Sequence, residues 1–447
     1  MYNLPETPVD SNEPYEKLRN AIAAAQAQGD LKTTVSLLKK LGQAYLNAGD
    51  APQALTEFNE AIKLVSDRED SKESFAQLLG FRGLALKLIG NYSLAMHAFR
   101  KSNTLAREIK HPALDCDSLI YIASLHSEMG KVDEALATLN EAIELASKHH
   151  DRVRKMRVYG LLGDSFVKKI ETSRALENYQ RACEFAQDLG NQAAECSFIT
   201  KLGNAHLLER NTERAIEKYE RALTLASALD DFNAEINILG GLFRAHALAG
   251  DPYPAQVYGE QAIHLAAQVG HSEAEIANIQ SLAAYLLEQT LVDASLPLLE
   301  RGIQVARQQT NLGALMELLN LQGQAYSIQE KYEEALASWN AAITLASNLQ
   351  DESFMALMYG RLAAVFAEKG ELEKSTDCAE KALTLAGILE DVKLAAQQQI
   401  LLAFNFNDLG QPEQAIQFCK DAIASFESLG DDEMAAQAQA MLADLNP

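Results

Sequence analysis

No stretch of this 447-residue chain approaches the ~20 consecutive apolar residues a bilayer-spanning helix requires, so no integral membrane segment is expected. Cysteine is scarce: Cys116, Cys183, Cys196, Cys378 and Cys419 are scattered, odd in number and never in a C-x-x-C pair. That pattern fits neither a disulfide framework nor a zinc site, and small core residues in a reducing compartment are expected. Glycine and proline are sparse, leaving a chain dominated by Ala and Leu. Positive charge is in short supply too: 39 Lys and Arg stand against 62 Asp and Glu, for a formal net charge of -23. Nucleic acid and anionic membrane surfaces would repel such a chain, so neither is expected as a main partner. The N-terminus, MYNLPETPVDSNEPYEKL, has no basic n-region or apolar h-region, so no secretory signal is read and a cytoplasmic protein is expected. Phosphate-binding GxGxxG and GxxxxGK[ST] loops, the G-x-S-x-G elbow and H-E-x-x-H are all absent. No catalytic apparatus, cofactor or metal is expected.

What the chain has instead is a copy of itself every 40 residues. Gly83, Ala123, Gly163, Gly203, Phe243, Ala283, Gly323, Ala363 and Ala403 follow one another at that spacing without an insertion, and Gly42 precedes them by 41. Twelve residues after each comes another small side chain: Ala54, Ala95, Ala135, Ala175, Ala215, Ala255, Ser295, Ala335, Ser375 and Ala415. Four further on stands a mostly larger one, such as Phe58, Phe99, Tyr179, Tyr219 or Trp339, and three after that the chain is small again, from Ala61 to Ala422. Small residues let two helices approach, and large ones three or four places away fill the space around the contact. Each repeat therefore reads as helix A, a tight turn and helix B. Gly49-Asp50, Gly90-Asn91 and Gly250-Asp251 mark turns in which Gly ends one helix and Asp or Asn caps the next. Pro52, Pro252 and Pro412 fall in the first turn of their B helices, where a missing N–H costs nothing.

The small–large–small signature resembles the tetratricopeptide repeat over roughly residues 31–430. The period of 40, with YGLLGDSF at 159–166 and TKLGNAHLLERNTERAIEKYERALTLA at 200–226, is similar to the longer-helix type found in LGN/Pins adaptors and kinesin light chains. No GoLoco-type motif accompanies it, so a role in G-protein signalling is not implied, and repeats six and seven are degenerate. The resemblance implies an all-α, right-handed superhelical solenoid of about ten helix-turn-helix repeats with a capping helix at each end. The expected boundaries are a disordered tail at 1–12 and a cap at 13–30. Repeats follow at about 31–70, 71–111, 112–151, 152–191, 192–231, 232–271, 272–311, 312–351, 352–391 and 392–430, and a cap at 431–447. Terminal covers are needed because an end repeat would otherwise expose an apolar face.

In proteins of this type the A helices line the concave groove, and the resemblance places the groove positions three before and one, four and five after the small residue. One place after, Asp164, Asn204 and Arg244 stand on successive A helices as a polar ladder; Asn237, Gln280, Asn320 and Gln324 extend the lining. In related adaptors Asn holds the peptide main chain and Arg holds acidic side chains, which suits an amide and a guanidinium. A solvated face, with Asp164 and Arg244 paired indirectly, is the alternative. Three places before, Gly80, Gly160, Gly240 and Gly360 lie inside helices, where Gly costs ~1 kcal/mol relative to Ala. Either they pack helices closely or they make a groove floor that a peptide backbone can approach.

A basic cluster, Lys148, Arg152, Arg154, Lys155 and Arg157, either receives an acidic partner or neutralises nearby Glu residues. The adjacent His149 and His150 do not face one ligand and make no metal site; His126, His206 and His246 stand at core places. Pro297 inside a B helix, with Thr290 where a turn Gly belongs, makes either a weak joint at 288–305 or a locally repaired helix. The function expected is a non-enzymatic scaffold or adaptor that binds a peptide segment of a partner protein in the groove. The alternative is a regulatory sensor whose superhelix changes shape when a peptide binds.

Overall fold

The computed structural model describes residues 13–445; the expected tail at 1–12 lies outside them. Twenty-two α-helices and one 3-10 turn at Glu69–Ser71 make up its regular structure, and no strand occurs among the described residues. The fold is an all-α solenoid in which each helix packs on the next within two compact units, Met1–Asp231 and Phe232–Pro447.

The first unit comprises α1 (Glu13–Ala27), α2 (Leu31–Asn47), α3 (Ala51–Val65), α4 (Lys72–Leu88), α5 (Tyr92–Glu108), α6 (Pro112–Glu128), α7 (Val132–Lys148), α8 (Arg152–Lys168), α9 (Thr172–Asp188), α10 (Gln192–Leu208) and α11 (Thr212–Ala228). The second comprises α12 (Phe232–Ala249), α13 (Pro252–Gln268), α14 (Ser272–Glu288), α15 (Val292–Gln308), α16 (Leu312–Ile328), α17 (Tyr332–Leu349), α18 (Glu352–Glu368), α19 (Leu372–Ile388), α20 (Val392–Asp408), α21 (Pro412–Leu429) and α22 (Asp432–Leu445). Even-numbered helices from α2 to α20 are the A helices, and odd-numbered ones from α3 to α21 are the B helices.

From α4 onward each helix starts 20 residues after the one before it, so the 40-residue repeat is two helices of nearly equal length. Each joint uses the same geometry. At the joint before α5, Gly90 turns left-handed (φ 83°), its N–H donates to the Lys87 carbonyl and the Asn91 N–H donates to the Leu86 carbonyl. This closes the end of α4, and the Asn91 side chain then accepts from the Leu94 N–H at 3.2 Å to open α5. Asp151, Asn191, Asn211, Asn311, Asp351 and Asp391 cap their helices in the same way. Ten non-glycine residues, among them Ile170 and Thr290, adopt the left-handed conformation at these joints.

The small residues that open the B-helix signature, from Ala54 to Ala415, are all fully buried, Ser295 and Ser375 included. Size is traded across the A–B contact. A Cβ on Gly203 would stand 2.8 Å from the Tyr219 ring, and Gly42, Gly83, Gly163 and Gly323 face Phe58, Phe99, Tyr179 and Trp339 in the same way. Where the A residue is Ala, the B residue shrinks to Leu139, Leu299, Ala379 or Cys419. In the sixth repeat the order inverts: Phe243 is buried on α12, and Gly259 on α13 is covered by Leu282. Close packing at constant volume explains this reciprocity.

Pro297 does not interrupt its helix: α15 runs unbroken from Val292 to Gln308. The reason is placement. Pro297 is exposed and lies near the start of the helix, and the Asp293 carbonyl it leaves without an N–H belongs to an exposed residue that water can reach. Ser295 and Leu299 on the other face are fully buried.

Candidate functional site

On the first unit's A helices a side chain repeatedly meets one 37–41 residues further along, because that spacing carries it to the same level of the next A helix. Lys39 donates to Gln77 at 2.8 Å, Lys87 to Ser124 at 2.9 Å, and Lys168 to the Ser127 carbonyl at 2.7 Å. Asp117 on α6 accepts from both Arg154 (2.5 Å) and Arg157 (2.6 Å) on α8, and Arg154 also holds Asp151 at 2.6 Å. The rest of the basic cluster is dispersed. Lys155 lies over the Phe185 ring, Arg152 is 3.7 Å from Asp188, and Lys148 is exposed. Only the three arginines of the cluster thus meet acidic side chains, and these are aspartates.

The ladder residues differ from one another. Asp164 is occupied: it accepts from Lys201 at 2.6 Å and from the Tyr179 hydroxyl at 2.7 Å. Burial, and then the Asp164 charge, push that phenol well above its ordinary pKa. Asn204 is exposed, with its side-chain oxygen taken by the Tyr219 hydroxyl at 2.6 Å. Its N–H2 group has no hydrogen bond among the described residues. A depression of about 380 Å³ lies on this face, with Leu84, Ile120, Leu161 and Phe198 as its apolar walls and Arg157, Asp164 and Lys201 among its polar ones.

In the second unit, Arg244 and Asn237 are exposed, and neither makes a hydrogen bond or ion pair among the described residues. Gln280 donates to the Ala314 carbonyl at 3.4 Å. Asn320 is buried at 6 % exposure; its side-chain oxygen accepts from Gln324 and its carbonyl from the Trp339 indole. It faces the packing, because the indole that fills the space beside Gly323 reaches back to it.

The helical glycines are not a bare floor. A Cβ on Gly160 would stand 2.6 Å from the Phe198 ring, and on Gly80 3.2 Å from Tyr121. On Gly240 and Gly360 it would stand 3.0 Å from Asn278 and Gln398. Each covering side chain comes from the next A helix, so these glycines admit a neighbouring helix and not a bound backbone.

All five cysteines are buried, and burial pushes the Cys116 thiol up to about 12 and the others above their ordinary value, away from the reactive thiolate. Burial also depresses His126 and His206. Among the described residues no group of three His, Cys, Asp or Glu side chains is placed to hold a metal, and no helix is long and apolar enough to cross a membrane. Sequence reasoning missed Lys201, Phe198, Tyr179 and Tyr219; the 37-residue step and the Gly–aromatic pairing are the signals that carry them.

Two family models described as tetratricopeptide repeat match residues 115–188 and 199–231. The chain thus carries tetratricopeptide repeats. A third model, described as anaphase-promoting complex subunit 5, matches residues 34–80 and 294–369 of the repeat protein. Tetratricopeptide repeat protein 29 of Trypanosoma brucei brucei is 25 % identical to it over 191 residues, 40 % of each chain. The match thus spans about two fifths of the length of that curated relative. Among solved structures, a signal transduction ATPase with numerous domains and a tetratricopeptide repeat sensor, from Pyrococcus horikoshii, is similar at a TM-score of 0.59 and 16 % identity. That likeness covers 82 % of the repeat protein and 55 % of the ATPase chain. The apo quorum sensor NprR of B. thuringiensis is similar at a TM-score of 0.53 and 17 % identity, covering 84 % and 99 %. At these identities the likeness is one of fold.

Proposed function

We propose that this tetratricopeptide repeat protein is a non-catalytic interaction scaffold that holds an extended peptide segment of a partner protein against its A helices. The reading takes residues 31–430 as ten repeats between a helical cover at each end. The observation that carries it is the first unit's A-helix face. An apolar depression at Leu84, Ile120, Leu161 and Phe198 can take one large side chain. Beside it Asn204, steadied by Tyr219, offers an amide N–H2 to a main-chain carbonyl. Arg244 and Asn237 supply comparable free groups on the second unit. The excess of acidic residues argues against a nucleic-acid partner.

The test is a paired affinity capture from native lysate, with wild type and Asn204→Ala/Leu161→Glu as baits. Titration with a synthetic segment of whatever the wild type alone retains then follows. Loss of the segment's binding in the variant, with helicity unchanged, supports the scaffold; equal binding to both proteins overturns this site. The same segment separates the alternative reading of a peptide-responsive sensor, a word that the names of both solved neighbours carry. A sensor changes its radius of gyration in solution scattering when the segment is added, and a scaffold does not.

A further inference from the structure

Arg361 on α18 stands two places before the small residue of its A helix, the place Lys201 holds on α10. Lys201 reaches back 37 residues to the carboxylate of Asp164. The same step back from Arg361 arrives at Gln324, which is neutral and already donates to Asn320. Arg361 makes no ion pair or hydrogen bond among the described residues, and its Nε is buried without a partner. Its neighbourhood offers no substitute counter-ion. Gln398, 6 % exposed, packs beside Gly360 and has an unpartnered side-chain oxygen, which could take one N–H but not the charge. The acidic side chain that acts on it, Glu317 on α16, is exposed and forms no pair with it within 4 Å. Burial holds the guanidinium below its ordinary pKa, as an uncompensated cation requires.

We propose that Arg361 is the anchor for an Asp or Glu side chain of a peptide segment bound on the second unit's A-helix face. Charge complementarity selects the occupant: a half-buried guanidinium, without the internal carboxylate that Lys201 finds from the same place in its repeat, presents a fork that matches a carboxylate. Arg82 in the first unit also has a buried Nε without a partner, but it stands one place nearer the small residue, outside the register that meets the preceding A helix. This inference rests on the peptide-binding reading and is independent of the first-unit depression.

The experiment uses the full chain and an array of synthetic 12-residue peptides made in pairs that differ only by Glu or Gln at one position. Wild type is expected to retain some Glu members at least about tenfold more tightly than their Gln twins. Arg361→Met and Gln324→Asp should each reduce that preference to about twofold or less, the first by removing the cation and the second by giving it an internal partner. In free protein both variants should raise the melting midpoint, because each relieves an unpaired half-buried charge; a merely structural arginine would lower it on replacement. Leu161→Glu, run in parallel, should leave the preference intact. An unchanged Glu preference in both variants, or a midpoint lowered by both, overturns the assignment to Arg361. Peptides retained without any Glu preference sink this inference alone; no peptide retained by the wild type sinks the scaffold reading with it.

Discussion

The A-helix faces of the two units are built from the same repeat and handle charge in opposite ways. In the first, Asp117 is gripped by Arg154 and Arg157, Asp164 by Lys201, and Lys168 by Ser127. In the second, Arg244 and Arg361 make no such pair among the described residues, and the residue 37 places before Arg361 is the neutral Gln324. The first face therefore uses several of its charges to hold successive A helices together, while on the second Arg244 and Arg361 have no internal carboxylate partner among the described residues. A charged residue in a repeat groove is thus not by itself a binding residue; what matters is whether the next repeat already answers it.

The sharpest way to break this contrast is to remove the carboxylate on which two arginines converge. Asp117→Ala leaves Arg154 and Arg157 without it, and Arg154 keeps Asp151. Loss of one partner from a fully buried pair costs more, but these side chains are partly solvated, so about 2 kcal/mol is expected. Amide exchange should accelerate in α6 and α8 and stay unchanged in α16 to α20. Equal protection of α6 and α8 in wild type and variant would show that the clamp contributes nothing. Tyr219→Phe should cost less, about 1 kcal/mol, because it removes a neutral hydrogen bond to Asn204. It also frees that amide to rotate, so a groove-bound segment should dissociate faster from the variant.

The joints give a comparison in which the units should agree. Ile170 in the first and Thr290 in the second are β-branched residues held left-handed, at φ 62° and 58°. Replacing either with Gly should stabilise its own unit by about 1 kcal/mol, the usual cost of that conformation for a residue with a Cβ. A denaturant titration that finds no gain at either site would mean that the φ value carries no penalty here. Ile170, 87 % exposed, is the cleaner of the two because almost no packing is lost with its side chain.

These same residues mark where the sequence was legible and where it was not. The 40-residue period and the buried small places were plain, since each rests on a run of identical or near-identical side chains such as Ala54 to Ala415. The 20-residue pitch beneath it was hidden because its joint residue is Gly at some turns and Lys110, Ile170 or Glu390 at others. Asp164 and Asn204 could be assigned to A helices of the first unit, and Arg244 to an A helix of the second, from spacing alone. Their state could not, because it depends on Lys201 one A helix further along and on Tyr179 or Tyr219 across the repeat. The helical glycines were ambiguous for the same reason: Phe198 over Gly160 and Gln398 over Gly360 belong to the next repeat.

The smallest effect expected is one of pH, and it should appear in the first unit. His126 and His206 stand where other repeats carry Leu86, Phe166 and Phe366, and each has a buried Nδ1 without a hydrogen bond, that of His206 lying 3.9 Å from the Glu209 carboxylate. Burial depresses both below the ordinary histidine value. A depressed group binds its proton more readily in the unfolded chain, so stability is complete above the unfolded value near 6.5 and declines as the pH falls towards the folded one. Few carboxylates titrate between pH 7 and 5, which leaves the window mostly to histidine. Wild type should lose about 1–2 °C of melting midpoint across it, and His126→Leu/His206→Phe should lose less. Exchange protection in α6 and α10 should follow the same order. An equal pH slope in wild type and the double variant would place the acid sensitivity elsewhere, with Glu57, whose carboxyl is raised by burial and by Glu60, the next group to replace.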